Sequence, residues 1–322
     1  MRISIAMCTY NGAPFVREQL DSIARQTRLP DELIVSDDRS SDQTLEIIEE
    51  FSSVSPFPVH VSINNKNLGI TKNSERAMRS CDGDIIFPCD QDDVWHPEKL
   101  KLVEALFLSA PRVGLVFSDA ELVDADLRSQ GRNLFGGVGF GQRKRRLVTS
   151  GRAIDLLMAQ TVVCGATMAF RSKFKKFILP IPTEGPLIQD GWIALIIAAV
   201  AEIAFIEKPL IKYRQHPAQQ MGGRRTSTFQ SVIRAHKTPS DSYLAQAAQF
   251  EEAYDRLAAG NGNPVDGRVL LLVRQKIAHL HERANMPPQR LRRISPVLRE
   301  VLNHRYDRFS RGWLSAAKDL LA

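Results

Sequence analysis

"DGDIIFPCDQDDVWHPEKL", residues 82–100, holds the decisive junction of this chain. An Asp-Gly turn opens a short apolar run, Ile85 to Cys89, of the kind that forms a buried strand. The run stops on three carboxylates in four positions, Asp90, Asp92 and Asp93. Trp95, Pro97 and the apolar spacing of a helix follow at once, with Pro97 suited to the first turn. One aspartate is enough to complement a helix N-terminus. Three crowded ionised carboxylates raise one another's pKa and call for a counter-charge. Two hard oxygen ligands one residue apart suit Mg2+ or Mn2+. Mg2+ typically takes one or two protein carboxylates and completes its shell with water and phosphate oxygens.

Outward from that junction the same unit repeats. "RISIAMCTYNG" reads as a strand ending in an Asn-Gly turn, and "APFVREQLDSIARQT" as a helix. "DELIVSDD" is a second strand, and "SSDQTLEIIEEFSS" a helix with Ser40 or Ser41 as N-cap. "FPVHVSINN" and "TKNSERAMRSC" continue the alternation, and "HPEKLKLVEALFLSA" follows the fourth strand. Strict β-α alternation predicts an α/β domain, a mostly parallel sheet with helices on both faces. Ligands in such sheets bind beyond the carboxyl ends of the strands. Four strand ends converge there with polar groups: Thr9, Tyr10 and Asn11; Asp37 and Asp38; Asn64 to Asn67; Asp90, Asp92 and Asp93.

Past residue 110 the pattern loosens. "RVGLVFSDAELVD" and "TVVCGATMAFRS" read as strands, and the Gly-rich, basic "RNLFGGVGFGQRKRR" as a mobile loop. "WIALIIAAVAEIAFI" reads as a buried helix running into a strand, and "IEKPLIKYRQH" as a last strand. Residues 217–241 turn polar and suggest a linker or lid. The expected division is residues 1–217 as the catalytic domain and 218–322 as a basic, mainly helical region.

The charge supports that asymmetry. Residues 1–217 carry 26 Lys+Arg and 27 Asp+Glu, whereas residues 218–322 carry 17 and 9. The basic excess of the last third suits a phosphate-bearing partner or a solvated helical surface. Cys8, Cys81, Cys89 and Cys164 form no CxxC pair, which argues against zinc and fits a reducing compartment. The N-terminal apolar stretch is too short for a signal peptide, and Glu202 breaks the longest apolar run below bilayer-spanning length. A soluble cytoplasmic protein is expected, or one peripheral at the inner face of a membrane. There is neither a GxxxxGK[ST] loop nor a GxGxxG after the first strand. A diphosphate held by metal on such a sheet points to a nucleotide-sugar.

The combined run from "CTYNGAPFVREQLDSIARQT" through "ELIVSDDRSSDQT", "NKNLGITKN" and "DGDIIFPCDQDDVWHPEKL" resembles family 2 glycosyltransferases, which have the GT-A fold. "DQDD" matches the D-x-D motif of that family. The resemblance spans about residues 3–216. "CGATMAFRS", "QDGWIAL" and "KPLIKYRQH" are similar to a rhamnosyltransferase subgroup, whose aspartate is typically followed by an aromatic pair. Here the sequence is Asp190-Gly191-Trp192, one aromatic short.

The resemblance implies roles residue by residue. Thr9, Tyr10 and Asn11 line the base and ribose, and Asp38 accepts from a pyrimidine N3–H. Asn67, Gly69, Lys72 and Asn73 belong to the loop and helix start near the nucleotide. Asp90 and Asp92 face ribose and metal, and His216 is a metal or phosphate contact. Asp190 is the general base, and Trp192 a wall of the acceptor site, with helix-core packing as the competing reading. The implied reaction is inverting transfer of a sugar, rhamnose among the candidates, from a UDP- or dTDP-sugar. The acceptor is a saccharide or lipid-linked precursor of bacterial surface polysaccharide; no nucleic acid is expected as a partner. The competing class is a nucleotidyltransferase that forms sugar nucleotides, but "TYNGAPFVREQ" lacks its Gly-rich basic signature.

Overall fold

The computed structural model describes residues 1–185, 187–216, 240–260 and 265–321. The predicted linker or lid falls almost wholly outside them. Four strands, β1 (Ile3–Thr9), β2 (Glu32–Asp37), β3 (Val59–Ile63) and β4 (Ile85–Asp90), run parallel in the order β3-β2-β1-β4. Helices α1 (Val16–Ala24), α2 (Thr44–Val54) and α3 (Ile70–Arg79) make the connections. β2 is buried at every position and β1 at all but one, as expected of strands covered on both faces. Val16, Leu20 and Ile23 give α1 its inward stripe.

The sheet continues beyond β4 in mixed directions. β8 (Met168–Arg171) runs antiparallel to β4 and to β6 (Val113–Val123). β6 lies parallel to β9 (Glu202–Arg214), and the short β5 (Val94–Trp95) closes that edge. β7 (Ser129–Asn133) pairs with β6 off the main path. This is the GT-A fold. Register decides where function can sit: Thr9 lies opposite Asp37, Asp37 opposite Ile63, and Cys8 opposite Asp90. Four strands therefore end level on one rim. Helix α4 (Lys99–Ser109) follows β5.

The predicted mobile loop is folded. It forms α5 (Leu134–Gly137) and opens α6 (Gln142–Thr149). Phe135 and Phe140 are the reason: both are buried, with ring centroids 4.8 Å apart, and Phe140 meets Phe205 edge-on at 5.1 Å. Arg145, inside the basic run, pairs with Glu207 at 2.8 Å. Ser40 and Ser41 do not cap α2, whose N-cap is Gln43.

Contacts sort the chain into two compact units that interleave in sequence. One comprises Met1–Arg145, Val162–Ile181 and Ala201–Gly223; the other comprises Arg146–Thr161, Pro182–Val200 and Arg224–Ala322. The sequence reading drew one cut, at 217/218. The second unit contains α7 (Ala153–Leu157) and the almost wholly buried α9 (Gln189–Val200); α8 (Lys175–Ile178) belongs to the first. Among the described residues five further helices follow in the second: α10 (Ser240–Ala259), α11 (Gly267–Ala284), α12 (Arg290–Leu302), α13 (Arg305–Phe309) and α14 (Trp313–Leu321). Asp266 caps α11 by accepting from the Arg268 N–H at 2.8 Å. Among the described residues no helix is long and apolar enough to cross a membrane.

Candidate active site

Asp38 follows the last residue of β2 and is nearly sealed, at 3% exposure. Its Oδ1 accepts from the Leu68 N–H at 2.7 Å and from Asn64 Nδ2 at 2.8 Å. Its Oδ2 accepts from the Gly69 N–H at 2.9 Å. Gly69 sits at φ +79°, a left-handed conformation that a side chain would strain, and this turn aims its N–H at the carboxylate. A carboxylate offers about four acceptor positions, so one remains. Asn67 Nδ2 lies 3.4 Å from the Asp38 carbonyl. Asn73, on α3, ties the rim together: its Nδ2 donates to the Ser36 carbonyl at 2.9 Å and the Thr9 carbonyl at 3.3 Å. Its Oδ1 accepts from Asn64. Thr9 donates its hydroxyl to Asp37 at 2.7 Å.

The turn after β1 is clamped from the neighbouring strand end. Gln91 accepts from the Tyr10 N–H at 2.9 Å and donates to the Tyr10 carbonyl at 3.0 Å. A Cβ on Gly12 would lie 2.1 Å from Gln91 Oε1, so a side chain there would displace Gln91 from this clamp. The Tyr10 ring is left exposed. Asn11 takes φ 47°, a region where asparagine is favoured, and holds the loop after β2 through the Ser41 N–H at 2.8 Å.

Asp92 and His216 meet, although 124 residues separate them: Oδ2 and Nε2 are 2.9 Å apart. Phe15 stacks on the imidazole at 4.5 Å. The scaffold behind this pair is Arg214, a residue without a role in the sequence reading. It is 2% exposed, its Nε donates to the Asp92 carbonyl at 2.6 Å, and its guanidinium lies 4.8 Å over Phe15. Its other nitrogens donate to the Ala125 carbonyl and the Glu18 carboxylate. The Arg214 N–H also donates to Asp93 Oδ1 at 3.0 Å, and Oδ2 of that buried side chain has no hydrogen-bond partner among the described residues. Burial first, then the neighbouring Asp92 and Asp90, push the Asp93 carboxyl well above its ordinary range. The third aspartate of the cluster is thus an interior group.

Lys99 is a second buried cation that the helical pattern did not mark. Its Nζ donates to the Ala166 carbonyl at 2.8 Å and lies 3.6 Å over the Trp95 ring. Burial lowers its pKa to about 7. Lys72 is spent locally, on Glu75 at 3.0 Å and the Ile181 carbonyl at 3.1 Å.

Asp90, Asp92 and His216 were expected to share a metal. Among the described residues no three His, Cys, Asp or Glu side chains converge as a cage. The protein offers a carboxylate and an imidazole side by side, a donor pair that fits a divalent cation whose remaining positions go to phosphate oxygens and water. Mixed O and N donors suit Mn2+ somewhat better than Mg2+.

Asp190 and Trp192 belong to the second unit. Asp190 stands in the first turn of α9, half-buried. Trp192 is fully buried, with the Arg256 guanidinium 4.9 Å over its ring. An enclosed ring offers no surface to a ligand, so the acceptor-wall reading of Trp192 gives way to core packing.

A GT-A sheet ending on this acidic rim defines an enzyme that transfers sugar from a sugar-nucleotide donor. The model of "Glycosyl transferase family 2" matches residues 4–177, more than half the chain. The chain belongs to that family. It is 39% identical over 231 residues to the dTDP-rhamnosyl transferase RfbG of Shigella flexneri, covering 67% of this chain and 73% of that one. It is also 32% identical over 103 residues to the poly(ribitol-phosphate) beta-N-acetylglucosaminyltransferase TarS of Staphylococcus aureus, covering 31% and 18%. The crystal structure of TarS residues 1–349 with UDP-GlcNAc is similar in fold, with a TM-score of 0.60 and 18% identity over 99% of this chain and 88% of that one.

Proposed function

We propose that this chain is an inverting glycosyltransferase that moves rhamnose from a dTDP- or UDP-linked donor to a saccharide or lipid-linked acceptor in bacterial surface polysaccharide synthesis. The observation that carries the reading is the Asp92–His216 pair, 2.9 Å apart at the acidic rim. The likeness to a dTDP-rhamnosyl transferase supports the choice of sugar.

In this reading Asp38 receives the pyrimidine N3–H on its remaining acceptor position, which favours thymine or uracil over cytosine. Its other bonds, to two backbone N–H groups and Asn64, hold it fixed. Thr9, Tyr10 and Asn11 border the base and ribose, Asn67, Gly69 and Asn73 shape the loop around it, and Asp90 takes a ribose hydroxyl. Lys72 contributes by holding that helix to Ile181. A bound divalent cation, held by Asp92 and His216, would offset the charge of the departing nucleoside diphosphate. Asp190 accepts the proton of the acceptor hydroxyl as it attacks the anomeric carbon.

A donor screen tests the proposal. The purified chain is incubated with dTDP-rhamnose, UDP-glucose and UDP-N-acetylglucosamine, with Mn2+, Mg2+ or EDTA, and products are identified by mass. Release of dTDP and rhamnose, abolished by EDTA, is the expected result. Formation of a nucleotide-sugar from a nucleoside triphosphate and a sugar 1-phosphate would replace it with the nucleotidyltransferase reading.

A further inference from the structure

Helix α12, "RLRRISPVLREVL", buries only Val297 and Glu300. Its large apolar side chains point the other way: Leu291, Ile294, Leu298 and Leu302 are 46% to 82% exposed. At about 100° per residue these four fall in one stripe about 80° wide. An open groove follows the same stripe. The concentration is local. Eight of the 19 exposed large apolar side chains among the described residues lie between residues 291 and 321, Trp313 among them at 74%. A soluble helix does not leave its apolar face in water without a partner for it.

Charge says which partner. Arg290, Arg292 and Arg311 are exposed, and none has an ion pair among the described residues. Glu300, the one carboxylate of α12, is buried and held by His279 and Arg305. The exposed part of the helix is therefore apolar and cationic, with no anion. A second copy docked symmetrically on this stripe would bring arginine against arginine. A bilayer with anionic headgroups meets both demands: acyl chains take the leucines and phosphates take the arginines.

We infer that the α12 stripe, with its flanking arginines, is a docking surface for an anionic phospholipid bilayer. Its use rests on the lipid-linked reading of the acceptor, but the contact itself needs neither donor nor acceptor. The full chain is floated with vesicles of phosphatidylcholine alone and with phosphatidylglycerol added. Binding to the anionic vesicles alone, weakened by salt, is expected. Arg290→Gln with Arg292→Gln should weaken it about 30-fold. Leu291→Ser, Leu298→Ser and Leu302→Ser together should abolish it with the thermal midpoint unchanged, since all three side chains are exposed. Donor hydrolysis without vesicles should be the same in all three proteins. Loss of hydrolysis in the wild type would count against the enzyme reading only. The docking surface is overturned if the wild type fails to float at low salt, or if the leucine variant floats equally well. It is overturned too if the wild type is a dimer that the leucine variant converts to monomer without any vesicle binding.

Discussion

At the end of β2 the carboxylates of Asp37 and Asp38 are held by neutral groups. Asp38 is surrounded by two backbone N–H groups and an amide, and Asp37 by hydroxyls and a backbone N–H. The C-terminal helices do the reverse. Asp319 is matched by the guanidinium of Arg283 at 2.7 and 3.0 Å and by the Tyr306 hydroxyl at 2.8 Å. Glu300 is matched by His279 at 2.6 Å and Arg305 at 2.8 Å. Neutral donors orient a carboxylate without cancelling its charge, so the rim keeps negative potential to offer a cation or an N–H. Cations cancel it, so the helical network is spent on holding α11, α12 and α14 together. Asp92, whose partner His216 is a histidine like the His279 beside Glu300, stands between the two patterns and is where the comparison is tested.

The comparison breaks first at Asp92. Asp92→Asn should lower turnover by about 10³ to 10⁴, since neutralising a leaving group is worth several kcal/mol at roughly 1.4 kcal/mol per tenfold. Thermal stability should hold, because Arg214 grips the backbone carbonyl of residue 92 and not its side chain. A variant that keeps near-normal turnover in steady-state assays would place Asp92 with the structural carboxylates. Asp190→Asn comes next, with transfer down about 10² to 10⁴ and donor affinity unchanged by calorimetry. Unchanged transfer would leave Asp190 as a helix-terminus residue.

On the other side, Arg283→Met should cost about 3–5 kcal/mol of stability, because it strands the buried Asp319 carboxylate. Urea unfolding measures this, and turnover per folded molecule should not change. A loss of turnover without loss of stability would mean the helical network is more than structural.

The smallest effect is a pH slope. Burial lowers Lys276 to about 7, with the nearby Arg283 acting the same way; its Nζ donates to the Phe309 carbonyl at 2.7 Å. The unfolded chain carries an ordinary lysine near 10.5, so it binds more protons than the folded chain between those values. The Lys276 contribution to stability therefore rises from about pH 7 toward 10, with its penalty complete below 7, and Lys99, which burial also lowers to about 7, adds a second contribution of the same sign. Burial also lowers His279, against the pull of Glu300, which extends the trend to more acidic pH. The expected gain from Lys276 between pH 7 and 9.5 is about 2–3 kcal/mol. Lys276→Met should remove that share of the slope in urea titrations and leave the share of Lys99.

Much of this was readable in the sequence, for a physical reason. In residues 1–110 each strand is followed directly by its helix, so periodicity and turn signals fix the order and the carboxyl ends fix the rim. Trp192 and the Phe135–Phe140 segment were harder. An apolar run does not say which of its aromatics are enclosed, and a glycine-rich, basic composition outweighed two phenylalanines that bury themselves. Arg214 was illegible. Nothing in "IKYRQH" marks a guanidinium as interior, because its partners Glu18, Asp92 and Ala125 come from distant parts of the chain.

Gln249 grips the backbone ahead of α9 at two points, accepting from the Leu187 N–H at 2.8 Å and donating to the Leu187 carbonyl at 3.0 Å. Two residues further on, α9 begins, with Asp190 in its first turn. For anyone recombining this enzyme with its relatives, that grip is a seam that must not be cut. A chimera spliced at residue 217 would take Asp190 from one parent and its anchor from another. Exchanges that keep residues 182–200 with α10 from the same parent would carry the proposed base and its support as one heritable piece.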